Sequence, residues 1–174
     1  MKMLKKNYYA KGISLTELVI VLIILGLLTI IGVPTFHNYI HHQNLKNDTE
    51  SLRQLAILSE KDALIYEHPI ILCPTSDNQS CSSSPYSFGL MAFIDNNDDA
   101  KLSNPDQIIG TLDFSGNNNR VTYKGFPYPK MQVFSPNSRI SSNGTFWIGG
   151  MENTKEIYFV RINKSGVIQA GQLA

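Results

Sequence analysis

The chain has 174 residues, only 17% of them charged, and fifteen basic side chains nearly balance fourteen acidic ones. That length suits one domain, or one domain with an appendage. Residues 18–33 carry no charge, and among them only Gly26, Thr29 and Gly32 are not large and apolar, which excludes an ordinary cytosolic enzyme.

The first twelve residues hold Lys2, Lys5, Lys6 and Lys11 and no acid, so the rest of the chain has an excess of three acids. A mildly acidic body gives no electrostatic reason for broad nucleic-acid affinity. A basic start ahead of an apolar run signals a secretory leader or a membrane anchor. A secretory leader ends in a small-residue cleavage site, and Thr29-Ile30-Ile31-Gly32-Val33-Pro34 offers none. As a helix, residues 13–33 extend about 31 Å at 1.5 Å per residue, which matches a hydrocarbon core of roughly 30 Å. Lysines precede this run and no Lys or Arg follows before Lys46, an asymmetry that leaves the N-terminus cytoplasmic. Glu17 is out of place in such a span. A carboxylate costs up to about 2.5–3.5 kcal/mol at the centre of a spanning helix and less near its end, so it needs a headgroup or a partner cation.

The string Lys11-Gly12-Ile13-Ser14-Leu15-Thr16-Glu17-Leu18, with the apolar run and Pro34 behind it, resembles the class III leader of type IV pilins and type II secretion pseudopilins. The resemblance implies that a prepilin peptidase cuts between Gly12 and Ile13, removing residues 1–12, and that Ile13 is then N-methylated. Ile13 stands where the family usually has phenylalanine. The resemblance also gives Glu17 a role. It would neutralise the N-terminal ammonium of a neighbouring subunit, and an apolar environment strengthens that attraction and penalises an unpaired carboxylate. Glu17 is thus read as a registry device for assembly and not as a general acid.

Beyond Pro34 the pattern becomes a helix with one apolar face. Leu45, Leu52, Leu55 or Ala56, Ser59, Ala63 and Tyr66 recur every three to four residues, with charged residues between them. One long helix over 14–66 is expected, its transmembrane and filament-core part over 13–34 and its amphipathic part over 35–66. Pro34 removes the hydrogen bond to the carbonyl of Ile30 and should kink the helix. Gly26 and Gly32 weaken the same section or allow close helix packing.

From His68 onward the signals are strands and turns. Strands are expected over 70–73, 88–94, 107–112, 120–123, 131–134, 145–148, 156–162 and 167–169, with Asn-, Asp-, Ser- and Gly-rich separators. The predicted fold is α+β: a long N-terminal helix packed on a sandwich-like antiparallel β domain over 67–174. Within this half, Leu72-Cys73-Pro74-Thr75, Cys81 and the run from Tyr86 to Asp95 resemble FimT/FimU-like minor pilins and GspH-like minor pseudopilins. Tyr86 stands where that group usually has tryptophan. Cys73 and Cys81 are read as a structural disulfide, with free thiols as the alternative. The bridge would close about nine residues and stabilise by roughly 2.5 kcal/mol in the chain-entropy model.

Other candidate chemistry is weaker. Asp95, Asn97, Asp99 and Asp106 echo a calcium loop, but Ala100 replaces the glycine such loops need and Asp106 is short for a bidentate contact. A solvated turn without metal is the better reading. His37 and His41 are four apart with no glutamate arranged as in metalloproteases, and His42 adjoins them; interface histidines fit best. No Gly-x-Ser-x-Gly motif supports a hydrolase, and no cofactor is expected. Some FimT-like pilins take up DNA through arginines after a C-terminal glycine. Here Val167, Ile168 and Gln169 follow Gly166, and only Arg161 and Lys164 remain, fewer cations than a phosphate-binding surface needs. Tyr123, Phe126, Tyr128 and Trp147 are read as core or subunit contacts ahead of base-stacking groups.

The resemblance therefore implies a non-enzymatic minor pilin that initiates a type IV pilus or sits near its tip. Its implied partners are other minor and major pilins, the prepilin peptidase and the inner-membrane assembly platform. The chain would sit in the inner membrane before assembly and at the cell surface afterwards. The alternatives are a minor pseudopilin of type II secretion and a DNA-uptake pilin.

Overall fold

The computed structural model describes residues 12–82, 86, 88–114, 119–136, 142–150 and 156–173, without the side chains of residues 29–35, 119, 120 and 150. They form one helix, α1 (Leu15–Tyr66), and eight strands: β1 (Ile70–Pro74), β2 (Gly89–Ile94), β3 (Gln107–Asp113), β4 (Asn119–Phe126), β5 (Gln132–Phe134), β6 (Asn143–Gly150), β7 (Ile157–Ile162) and β8 (Ile168–Leu173). The chain divides into two compact units, Met1–His41 and His42–Ala174.

In the first unit α1 begins two residues beyond Ile13, and its side chains over 15–28 are exposed, Leu22 at 59% and Leu28 at 62% among them. Among the described residues no helix is long and apolar enough to cross a membrane. The apolar stretch with described side chains, 15–28, reaches only about 21 Å at 1.5 Å per residue. The helix is one 52-residue element that continues through Pro34.

In the second unit α1 has a buried stripe. Leu45, Asp48, Thr49, Leu52, Ala56, Ser59 and Ala63 follow the three- and four-residue steps of one helix face. The small residues Ala56, Ser59 and Ala63 let the helix lie close to the sheets. The hydroxyls in the stripe are satisfied within the helix: Thr49 Oγ1 donates to the Leu45 carbonyl at 2.7 Å and Ser59 Oγ to that of Leu55 at 2.8 Å. Tyr66, expected on this face, is 51% exposed instead. The helix stops just after it, where Glu67 takes a left-handed conformation (φ 58°) and Pro69 follows.

The strands form two four-stranded antiparallel sheets, ordered β3-β2-β1-β5 and β4-β6-β7-β8. All eight expected strands are present; β4, β6 and β8 run longer than their β-branched cores suggest. The main core joins Leu45, Leu52, Ala56 and Ala63 of α1 to Ile70, Leu72, Leu90 and Ala92 of the first sheet. Phe146, Ile148, Val160 and Ile162 of the second sheet complete it. Three strands of the first sheet, β1, β2 and β5, are buried on both faces, whereas its edge strand β3 is not. Alternation sends Ile71, Cys73, Met91, Phe93 and Val133 into a second, smaller core, covered by Ala100, Leu102, Tyr128 and Met131. That is why β1 and β2 read as unbroken apolar runs.

Candidate functional site

The residues singled out in the sequence fall in five separate places. At the N-terminal end, Gly12, Ile13 and Ser14 precede the helix in exposed chain with no regular secondary structure, Ile13 at 76% exposure. Glu17 lies in the first turn of α1 and is exposed, with the apolar side chains of 15–28 beyond it. An acid in a first turn also complements the helix dipole. Ile13 lies two residues ahead of the helix, whose first turn is closed by the Leu18 N–H donating to the Ser14 carbonyl at 3.2 Å. The other eleven leader residues lie outside the described residues, as does the side chain of Pro34.

The second place is the loop after β1. Cys73 and Cys81 form a disulfide, with Cα atoms 5.6 Å apart. The loop they close is organised by a residue the sequence reading passed over. Asp77 accepts hydrogen bonds from the backbone of Gln79 and Ser80 at 2.9 and 2.8 Å, and from Ser80 Oγ at 2.8 Å. These donors hold its carboxyl well below the usual carboxylate range. Asn78, with φ 58°, donates through Nδ2 to Asp113 at the end of β3 at 3.0 Å. Its signal in the sequence was the Thr-Ser-Asp-Asn run, a turn that rewards short polar side chains.

The third place is the acidic turn between β2 and β3. Carboxylate oxygens of Asp95, Asp99 and Asp106 lie within 4.8 Å of one another, the one such group among the described residues. Asp95 is buried, yet the backbone N–H groups of Ala100 (2.9 Å) and Asp99 (3.2 Å) donate to it. Asp106 accepts from the backbone of Asn96 and Ser103 at 2.8 and 2.9 Å, and Asn97 Nδ2 donates to Asp99 at 3.1 Å. These donors hold the carboxylates in place within the turn.

Fourth, the histidines separate. His37 is exposed and His41 half-buried, whereas His42 Nδ1 lies 2.7 Å from Glu156 Oε2, with Tyr158 Oη 3.4 Å away. This contact ties α1 to the start of β7 and draws on no second histidine. Fifth, Arg161 and Lys164 are both exposed, on β7 and in the following turn, and the Arg161 guanidinium sits 5.5 Å from the centre of the Phe159 ring. The aromatic residues divide as well. Tyr123 packs with Tyr86 and Phe146 in the core and donates to Gln132 Oε1 at 2.9 Å. Burial pushes its hydroxyl up to about 12. Tyr128 roofs the smaller core, Trp147 is half-buried, and Phe126 is 73% exposed.

These places do not converge on a cleft. Chemically the first unit offers an uncovered apolar helix and the second a disulfide-bonded body, and no set of catalytic groups gathers among the described residues. No protein-family model matches the chain, and no curated protein does either. Solved structures do match. The type IV minor pilin FimU of Pseudomonas aeruginosa strain PAO1 superposes with a TM-score of 0.56 at 15% identity, over 76% of this chain and 92% of that one. A second crystal form of FimU gives a TM-score of 0.50 over 72% and 91%. The minor pseudopilin EpsH of the Vibrio cholerae type 2 secretion system gives 0.52 at 15% identity, over 74% and 96%. The long helix packed on two antiparallel sheets is therefore the fold shared by the minor pilin FimU and the minor pseudopilin EpsH.

Proposed function

We propose that this chain is a minor pilin, a non-enzymatic subunit that helps initiate a type IV pilus or sits near its tip. The observation that carries the reading is the apolar first half of α1, exposed along 15–28, on the same helix whose second half is buried by a pilin-like body. A surface like that is not stable in water. Burying each such side chain is worth roughly 1.5–3 kcal/mol, so the segment belongs in lipid before assembly and among neighbouring helices afterwards. The exposed Gly12–Ile13 bond suits removal of residues 1–12 by a prepilin peptidase, with Ile13 then methylated. Glu17 would pair with a neighbour's ammonium as the subunit enters the filament, and Pro34 would bend or loosen the helix there. The globular body would face the periplasm and then the surface, in contact with other minor and major pilins, after delivery by the inner-membrane platform. Electrostatics gives DNA little support, because Arg161 and Lys164 are the two exposed cations here and a phosphate-binding surface needs more contacts.

Surface pilus yield from sheared cells of a deletion strain, with and without the restored gene, tests the reading. Loss of pili that the gene restores, but that Glu17→Val does not, is the expected result. Normal pili in the deletion strain would overturn it. The likeness to EpsH favours a second reading, a minor pseudopilin, for which the deletion would abolish type II secretion and leave pili intact.

A further inference from the structure

A sheet edge exposes unpaired backbone N–H and C=O groups that any extended chain can join, and proteins usually blunt it with charge, proline, shortness or a bulge. Three of the four edges here carry such a device. In β3 the register against β2 breaks between Ala92 and Phe93 and leaves Ile109 unpaired, a β-bulge. β5 has three residues and Pro136 lies just beyond it. β4 includes Arg120 and Lys124. The fourth, β8, has none: Ile168-Gln169-Ala170-Gly171-Gln172-Leu173 is uncharged, lacks proline, and pairs with β7 in unbroken register over six residues. Among the described residues no strand pairs with its outer side.

The hairpin turn sets which groups face outward. Asn163 N–H donates to the Val167 carbonyl and Gly166 N–H to that of Asn163, both at 3.0 Å, with Gly166 at φ 81°. That is a three-residue loop closed by a glycine bulge. Hydrogen-bonded and non-hydrogen-bonded pairs alternate along an antiparallel ladder. Because Asn163 and Val167 are bonded, Ile168, Ala170 and Gln172 turn their backbone groups away from β7, toward the open side.

The side chains beside this edge select what can join it. On one face Ile157 stands opposite Leu173, 39% and 44% exposed, and forms an apolar row that ends at the edge. Two pairs along, exposed Arg161 stands opposite Gln169 on the same face. Between them the Phe159 ring covers Gly171, where an added Cβ would lie 2.9 Å from Phe159 Cζ. An incoming strand would extend both rows, with an apolar residue beside Leu173 and a carboxylate or amide beside Gln169.

We propose that β8 is a docking edge for an extended strand of a different filament subunit, joined by the outward backbone groups of Ile168, Ala170 and Gln172. This partner assignment rests on the filament reading above. A second copy of this chain fits less well. Antiparallel pairing of β8 with itself places a two-fold axis normal to the sheet and reverses every direction within it. The two packed helices would then run oppositely, whereas chains anchored in one membrane through the same end share a direction.

The test places a photoreactive p-benzoylphenylalanine at Gln169 of the full chain in its own cells, with Lys124 on β4 as the control site. The partner peptide is read by mass spectrometry, and the chain is assayed in parallel in sheared filaments. The expected product joins Gln169 to an extended segment of another filament subunit and falls at least tenfold in Ala170→Pro. Gln172→Lys, which keeps the backbone and charges the edge, should lower it similarly; it decides the matter if Ala170→Pro fails to fold. No Gln169 product from chain that is present in filaments overturns the docking edge alone. So does a product that both variants leave unchanged, or one that joins two copies of this chain. Absence of the chain from filaments overturns the filament reading and this inference with it.

Discussion

The two halves of α1 both carry large apolar side chains, an almost unbroken run in the first and one stripe among charged residues in the second, and they differ in what covers them. Residues 15–28 display Leu, Ile and Val with half or more of most side chains exposed, whereas Leu45, Leu52, Ala56 and Ala63 are sealed by two sheets. Hydrophobicity alone would rank the first half as the core. The difference teaches that burial within one chain depends on the availability of a partner surface, and that a surplus of apolar helix specifies contacts outside the chain.

The comparison breaks if the two halves respond alike to truncation. Leu52→Ala in the full chain, held in detergent micelles, should cost about 2–5 kcal/mol through the cavity it leaves. That is a fall on the order of 10 °C in the Tm of the globular unit. Leu22→Ala should leave that Tm unchanged, and an equal loss would refute the distinction. Next in size is the disulfide. Cys73→Ser with Cys81→Ser should destabilise the globular unit by about 2.5 kcal/mol in the chain-entropy model. Denaturant unfolding read by tryptophan fluorescence from Trp147 checks it.

A smaller effect sharpens how the covered half is held. Gly166 has φ 81°, and a Cβ there would run into Glu60 Oε1 of α1. Gly166→Ala should cost about 1–2 kcal/mol for a left-handed non-glycine, and little more for the clash, since the Glu60 carboxylate is the far end of a flexible side chain. Gly166→Ala combined with Glu60→Ala should recover only the clash, which thermal melts of both variants would show. The smallest effect is one of pH. Burial raises the Glu60 carboxyl above its usual 4.5, so the folded state holds that proton more tightly than the unfolded one. Its contribution is complete below 4.5 and is lost as pH rises through the raised folded value. Relative to Glu60→Gln, the wild type should therefore lose stability with rising pH. A constant difference between the two melting curves would remove burial as the cause.

The long helix and all eight strand positions were legible because each is a local pattern of spacing, alternation or turn residues. Strand order was not. β1 pairs with β5 through Ile70 and Phe134, sixty-four positions apart, and nothing local records such a partner. The roles of Asp77 and of the Glu60–Gly166 contact stayed hidden for a related reason, since each depends on donors or backbone angles set by the folded loop. Tyr66 followed the periodicity of the buried stripe, but α1 ends there, and the last turn carries it past the edge of the covering sheets. The acidic turn showed its residues but not its solution, because only the fold reveals that backbone N–H groups already occupy Asp95 and Asp106.

The second, smaller core has an implication for how this molecule can diversify. With both faces of β1 and β2 sealed, a polar replacement on either side of them strands a group away from water, so those strands have little freedom to change. Strand β7 of the other sheet alternates buried Tyr158, Val160 and Ile162 with exposed or half-buried Ile157, Phe159 and Arg161. Its outward positions can be exchanged at little cost to the fold. The buried strands β1 and β2 thus hold the body fixed, while the outward positions of β7, like those of the exposed edge strand β3, are free to acquire new surface chemistry.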